Sequence, residues 1–519
     1  MDTSLLIHLP QDYNREQIET LLVDNYQFMM EEPISVKWVF YDTFDWLLFN
    51  KSLTLHQTDQ WLYLRNIGDG EQLERLSITA PPKFPVDLPE SPLRDHIKSI
   101  IEPRALLNLC ELTLRSYTYR ILNSDKKTVV RLNYTEWYLT SDTSSRAAFN
   151  YLNLLPVRGY PKYTQSLVRY LKKGGFAFSH WEDLYFRALV AVGQHPGSYS
   201  SKIDVQLEPD MRSDEATKII LRSLLRVMRA NQSFIQADID TEFLHDYRVA
   251  IRRTRSALSQ IKGVFPGDVV QRFKQDFRYI GQLTNELRDL DVYLLSEEKY
   301  KSMLPDILRD NIEPLFDYLR AKRENTLAQV VSSLDSQKIE RILLDWEEFL
   351  KEPAPETPQA VHALTPIIEL AQKRIYKHYR RVIKDGKDIL KDPQDELMHA
   401  LRIECKKLRY LIEFFSSLFP TEKIGQLISQ LKQLQDNLGD FNDLSVQQEY
   451  LLKIAEDLPI DDTKSRRALL ATGSLVESLA NQQQLVRDSF AKTFTNFAST
   501  ENQELYEQLF STKGGGSIL

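Results

Sequence analysis

The sequence predicts an α+β protein in two parts, a strand-rich N-terminal part followed by an all-helical C-terminal part. Three observations lead there. The 519 residues exceed the ~150 of an ordinary domain, so more than one core is expected. Glycine is scarce, 17 of 519, against the roughly 7% usual in proteins, which favours long helices over tight turns. The texture also changes near residue 200, from short β-branched and aromatic runs to long segments of 3.6-residue period.

Taken in order, a first strand is followed by a helix at Arg15 to Asn25. Strand runs come next at Ser35 to Tyr41, Leu53 to Leu55, Trp61 to Asn66, Leu112 to Leu122 and Val129 to Leu139, and a helix at Tyr163 to Lys173. His195 to Ser201 reads as a connection. From residue 210 on, helices are punctuated at Pro266, Pro305, Pro353, Pro393 and Pro420. The polar, proline-rich stretch Lys351 to Thr365 divides them into halves of about 210–350 and 360–510. The predicted domains are therefore 1–200 and 205–510.

Composition narrows the class. Hydrophobic residues make up 42% and charged residues 27%, which excludes wholesale disorder. The net charge of −7 argues against a basic nucleic-acid coat. Two cysteines, Cys110 and Cys405, fit a reducing compartment rather than a disulfide scaffold. With no leader-like start and no long apolar run, the cytoplasm is the expected location. The Gly514 to Ser517 tail reads as a flexible end.

The most informative feature is an internal repeat. His245-x-x-Arg248-x-x-x-Arg252-Arg253-x-Arg255 recurs as His399-x-x-Arg402-x-x-x-Lys406-Lys407-x-Arg409. Each copy reaches a Phe-Pro pair at the same offset, Phe265-Pro266 and Phe419-Pro420. A second element also recurs, Leu287-Arg288-Asp289-Leu290-Asp291 and Leu438-Gly439-Asp440-Phe441-Asn442. At 100° per residue, His245, Arg248, Arg252 and Arg255 fall within an arc of about 80° and extend ~15 Å along a helix.

A solvated face is the ordinary meaning of such a stripe. Like charges four apart destabilise a helix by a few tenths of a kcal/mol, so keeping the stripe twice points to a counter-charge supplied from outside. Guanidinium forks match phosphate oxygens, lysines add point charges, and a polyanion would favour protonated histidines. The second rank of candidates is Arg222, Arg226 and Arg229 before the first copy, and Lys373, Lys377, Arg381 and Lys384 before the second. Arg272, Lys274, Arg278 and Lys432 are weaker members. The histidines could also serve as caps. The Arg-Asp-x-Asp elements read as caps or ion pairs that hold the arginines rather than as metal ligands, since hard cations want a fuller oxygen set.

On these residues, together with Leu434 to Asp443, the region ~210–510 resembles the CHAD domain, named for conserved histidines in an all-helical fold. The resemblance implies two four-helix bundles related by a pseudo-two-fold and a basic surface that binds inorganic polyphosphate, without catalysis. By position, the implied contacts are His245, Arg248, Arg252, Arg253, Arg255, His399, Arg402, Lys406, Lys407 and Arg409. No cofactor or metal is implied for it.

Residues 1–200 resemble a diverged CYTH domain, a triphosphate-tunnel barrel of antiparallel strands. Phe40-Tyr41-Asp42-Thr43, Arg158-Gly159-Tyr160 and Ile203 to Asp210 carry that likeness. The family's Glu-x-Glu-x-Lys is missing, with Asp2, Ser4 and Leu6 at those places and Tyr151 and Asn153 where later acids belong. Arg65, Arg115, Arg120 and Arg131 are left as tunnel-lining candidates. Phosphoanhydride hydrolysis in a tunnel needs a carboxylate-held divalent cation, so the resemblance implies a scaffold or anion-binding module here.

The leading expectation is a non-enzymatic polyphosphate-binding protein, with polyphosphate-rich bodies as its destination. The alternative is a metal-dependent triphosphatase in the N-terminal barrel, using Asp2, Asp42 and Glu136. A nucleic-acid binder is disfavoured by the acidity and by the lack of a base-reading motif. A scaffold paired with an acidic protein is the remaining reading.

Overall fold

The structure is a computed structural model and describes residues 5–10, 13–140, 147–457 and 463–511. Asp2, Ser4 and the Gly514 to Ser517 tail lie outside the described residues. The chain divides into two compact units, Met1–Ser200 and Ser201–Leu519.

The first unit is built on one antiparallel sheet. Its strands are β1 (Leu5–Leu9), β2 (Gln27–Met30), β3 (Ile34–Asp42), β4 (Leu53–Thr58), β5 (Trp61–Asn66), β6 (Gln72–Ser77), β7 (Leu107–Leu122), β8 (Thr128–Leu139), β9 (Phe149–Pro156) and β10 (Phe178–Ser179). Its helices are α1 (Arg15–Val23), α2 (Pro92–Ile101), α3 (Pro161–Lys173) and α4 (Trp181–Ala191). The order is β10-β1-β9-β8-β7-β3-β4-β5-β6, with β2 paired to the far end of β7.

Side-chain alternation sorts this sheet into two buried faces. Trp38, Phe40, Cys110, Leu112, Trp137, Phe149 and Tyr151 share one face, which Leu184, Tyr185, Ala188 and Leu189 of α4 cover. The other face buries Tyr119, Leu132, Tyr134 and Leu152 under α1 and α3, and Val39, Leu55 and Leu62 under α2.

The closed barrel expected from the sequence is not what forms. Among the described residues the sheet is open, with β10 and β6 as its two ends. The physical reason is visible in the face under α4. It is filled with aromatic side chains and packs as a dry core, whereas a tunnel must line a lumen with polar groups. His56 lies stacked on Trp38 at 4.5 Å between ring centroids and on Tyr63 at 5.2 Å. Burial, then the charge of Arg65, pulls His56 well below its ordinary pKa. Arg65 stacks over Trp181 and donates to the Gly70 carbonyl. Arg115 and Arg120, five apart on β7, point to opposite faces. Arg120 is tied to Thr128, and its cross-strand neighbour Arg131 is exposed. These four arginines do not share one lumen.

The second unit is helical throughout its described length apart from loops. It comprises α5 (Ser213–Gln236), α6 (Thr241–Gln260), α7 (Gly267–Leu283), α8 (Asn285–Leu295), α9 (Glu297–Ser302), α10 (Asp306–Arg309), α11 (Glu313–Leu334), α12 (Gln337–Lys351), α13 (Ile367–Ile389), α14 (Asp395–Phe414), α15 (Thr421–Asp457), α16 (Thr463–Phe497) and α17 (Thr500–Phe510). Pro266, Pro305 and Pro420 each immediately precede a helix, while Pro353 and Pro393 lie just beyond helix ends. A residue without an N–H is tolerated there and disruptive inside a helix.

Packing repeats along this unit: α5 lies on α6 as α13 lies on α14, and α7–α8 occupy the place that the single long α15 takes later. A shared core of Leu290, Tyr293, Phe316, Leu444, Leu451 and Leu475 joins the two halves. The halves also meet where α6 lies against α14. No described helix is long and apolar enough to cross a membrane.

Gly386 shows how close this packing is. A Cβ at that position would overlap the Phe494 ring, so α13 and α16 approach at a distance only glycine permits. Gly386→Ala is expected to destabilise the fold by about 1–3 kcal/mol through overpacking. Chemical denaturation of the variant against the parent measures this.

Candidate functional site

The two repeated stripes lie on α6 and α14, the central pair of the helical unit. Asp240 caps α6 by accepting from the backbone of Glu242 and Phe243, which fixes where the His245 stripe begins. Tyr247, Ile251, Ala257 and Leu258 bury one side of α6, as Leu401, Cys405, Leu408 and Ile412 do on α14. The cationic sides are thereby turned toward the surface and toward each other.

A trough of about 760 Å3 opens between α6, α7 and α14. Arg252, Arg255, Lys274, Arg278, Lys406 and Lys407 line it, with Ser256 and Tyr410, and no carboxylate is among its lining residues. Arg252, Arg255, Lys274, Arg278 and Lys406 form no ion pair within 4 Å among the described residues. The Ser256 hydroxyl is buried and has no hydrogen-bond partner among the described residues.

The electrostatic cost of this crowding registers on its members. Burial, then the charges of Arg402 and Arg252, lowers Lys406 to about 8, with Asp443 opposing. Arg255 is lowered by burial and by Arg278. Arg248 falls to about 10, through burial and then Arg252.

Two flanking clefts differ in character. One, of about 430 Å3, is lined by His245, Arg253, Arg402 and Arg409 but also by Asp246, Glu413, Asp436, Asp440 and Asp443. The other, of about 330 Å3, gathers His245, Arg248, Arg252, Arg288, Arg402 and Lys406 beside Asp289 and Asp443. Lys406 lines all three openings.

The stripe residues therefore divide. Arg253 and Arg409 both donate to Glu413, at 2.9 and 2.7 Å, and so clasp α6 to α14. Arg402 pairs with Asp443 at 3.0 Å, and His399 lies 2.6 Å from Asn442. Lys407 pairs with Glu404 at 2.5 Å. Arg248 donates to the Gly281 carbonyl, Thr284 and Asn285, all neutral acceptors, with Asp289 and Asp291 acting on its charge only through space. The repeated Asp-x-Asp/Asn element holds cations in place: Asp291 accepts from Arg323 at 2.7 Å, and Asn442 and Asp443 serve the second stripe.

The second rank is scattered. Arg222 donates twice to the Leu350 carbonyl at the end of α12, and Arg229 makes a bidentate pair with Glu340. Arg226 and Lys432 are exposed elsewhere. Arg278 lies in the trough, while Lys373, Lys377, Arg381 and Lys384 line a separate groove on α13. Sequence reasoning missed Ser256 and Tyr410, which carry no charge signal, and Arg380, which falls outside the chosen spacing. It also missed the clasping acid Glu413, although Glu413 lies four residues after Arg409.

Comparison with known proteins gives a family match for part of the helical unit. Residues 219–452 match the family model described as CHAD domain. An uncharacterized protein of Mycobacterium tuberculosis (strain H37Rv) is 25% identical over 228 residues, covering 42% of this chain and 42% of the relative. The match thus spans under half of that relative's length. Among solved structures, the CHAD domain from the plant Ricinus communis aligns with a TM-score of 0.47 and 22% identity, covering 56% of this chain and 96% of that one. HpAC1 from Hippeastrum, described as an adenylyl cyclase with a dominant triphosphatase activity, aligns with a TM-score of 0.26 and 14% identity, covering 38% of this chain and all of that one.

The lowered Lys406 gives a sign that can be checked. Its folded value of about 8 lies below the ~10.4 of an unfolded lysine. Its charge therefore destabilises the fold fully below pH 8, and the cost fades as pH rises from 8 toward 10.4. Lys406→Met is expected to raise the thermal midpoint by about 1–3 °C at pH 7, with the gain shrinking by pH 10. Melting curves at the two pH values test it.

Proposed function

The helical unit carries a CHAD domain, and from that premise we propose that the protein binds inorganic polyphosphate, without transforming it, in the trough between α6, α7 and α14. The carrying observation is that six cations line one 760 Å3 opening with no carboxylate among its lining residues. Cations such as Arg229, Arg320 and Arg323 elsewhere in this unit are neutralised by acids, and the lack of acids here leaves charge to be met by a ligand.

Arg252, Arg255 and Arg278 offer planar forks to phosphate oxygens, Lys274 and Lys406 add point charges, and the Ser256 hydroxyl supplies a buried donor. Arg248, clasped only by neutral acceptors, continues the positive path beyond the trough. Polyphosphate fits because it is long, flexible and charged at every repeat, so one chain can meet cations spread along two helices. The acidic overall balance disfavours a nucleic-acid coat, and localisation to polyphosphate-rich bodies follows as the biological use of such binding.

The N-terminal unit serves as a scaffold derived from a CYTH-like sheet. Of the three carboxylates weighed for triphosphatase chemistry there, Asp2 lies outside the described residues and the other two are engaged within the fold. Asp42 accepts from the backbone of Thr43, Leu48 and Phe49, and Glu136 accepts from the Tyr134 and Tyr138 hydroxyls.

Binding is expected to weaken steeply with salt, because each phosphate neutralised releases counterions. Replacing Arg252, Arg255, Arg278 and Lys406 together by Gln should abolish retention on a polyphosphate column at moderate salt. The slope of log affinity against log salt should fall by about 3. Retention of that variant equal to the parent would overturn the assignment, as would tighter binding of duplex DNA than of polyphosphate at the same salt.

A further inference from the structure

The two halves of the helical unit treat their first helices differently. On α5, three of the basic residues are consumed internally, with Arg226 left exposed: Lys218 and Arg222 cap the end of α12 through the Glu352 and Leu350 carbonyls, and Arg229 is neutralised by Glu340. On α13, the corresponding face stays open. Lys373, Lys377, Arg380, Arg381 and Lys384 line a groove of about 980 Å3 in which, again, no carboxylate is among the lining residues. All five are exposed, and Lys373, Lys377, Arg380 and Lys384 form no ion pair among the described residues. They span twelve residues, or roughly 16 Å of helix.

This groove is joined to the trough by one buried acid. Glu404 of α14 pairs with Lys407, which lines the trough, and lies 3.7 Å from Arg381, which lines the groove. His378 of α13 contacts the same carboxylate at 3.0 Å from beneath. Burial alone would raise Glu404, but the hydrogen bonds from His378 and Lys407 and the charges of Lys407 and Arg381 hold it at about 2. Glu404 thus fixes the near ends of two cationic tracks side by side while neutralising little of either.

Resting on the reading of the trough as a polyphosphate site, we infer that the α13 groove is a second, extending track that lets the protein discriminate long polyphosphate chains from short ones. A short oligophosphate is satisfied by the trough alone. A chain long enough to pass Lys407 and Arg381 gains the groove cations as well, in a tethered second contact that needs no new binding event.

The test compares tripolyphosphate with long-chain polyphosphate by isothermal titration of the full chain at fixed salt. The groove variant is Lys373→Gln, Lys377→Gln, Arg380→Gln and Lys384→Gln, with Arg381 kept to spare the Glu404 pair. The trough variant, Arg252→Gln with Lys406→Gln, is run alongside, and circular dichroism confirms the helical content of both. The groove variant is expected to lose about tenfold or more in affinity for long chains and to bind tripolyphosphate within about twofold of the parent. If it binds long chains as the parent does while the trough variant loses both ligands, the extension is wrong and the trough reading stands. Equal loss of both ligands in the groove variant also overturns the extension, because the groove would then be the primary site. Unchanged binding in both variants overturns the trough reading itself.

Discussion

Like charge held together by packing is the constraint on which the helical unit depends. Arg252, Arg255, Arg278 and Lys406 are brought to one opening with no carboxylate among its lining residues. Left to electrostatics, α6 and α14 would part. Each is anchored in its own half by its buried apolar side, Ile251 and Leu258 on α6, which packs on α5, and Leu401 and Leu408 on α14, which packs on α13. The Glu413 clasp between Arg253 and Arg409 adds a charged pin beside the trough, not inside it. The arrangement spends stability on a surface that only an anion can relax, a pattern common where function and folding compete. The depressed Lys406 is the local mark of that tension.

The repeated sequence does not give repeated roles. The first stripe keeps Arg248, Arg252 and Arg255 without carboxylate partners, while in the second Arg402, Lys407 and Arg409 each meet an acid and Lys406 alone stays unpaired. The divergence lies in single positions. Glu404 and Glu413 have no counterpart acid in the first copy, where Ala250 and Ser259 stand at the matching offset. The repeat gives two cationic helices, and a few carboxylates decide which cations stay open and which serve as joints. The same division separates α5, whose arginines bind α12, from α13, whose cations stay open.

Much of this was legible in the residues. Trp61 to Asn66 forms a strand over the same span, the prolines mark helix boundaries, and the stripe periodicity places the cations on one side of α6 and α14. What sequence could not supply was three-dimensional partnership. Arg222 and Arg229 look like stripe members at helical spacing, yet their partners lie more than a hundred residues away on α12. Trough members such as Ser256 carry no charge signal. The open sheet was missed for a different reason. Alternation tells which residues share a face but not whether that face closes on water or on a helix, and α4, which fills it, was not recognised as an element. β6 was also missed, for its polar composition, while β9 was reached only through the positions of Tyr151 and Asn153, because its run of buried residues lacks clean alternation.

Arginine side-chain NMR, following the Nε–H resonances of the full chain during titration with polyphosphate, tests the central claim most directly. Resonances of Arg252, Arg255 and Arg278 are expected to shift, while those of Arg222 and Arg229, already committed to α12, stay in place. Shifts confined to Arg222 and Arg229, or an unchanged spectrum at saturating polyphosphate, would contradict the claim that the α6–α7–α14 trough is where the anion is held.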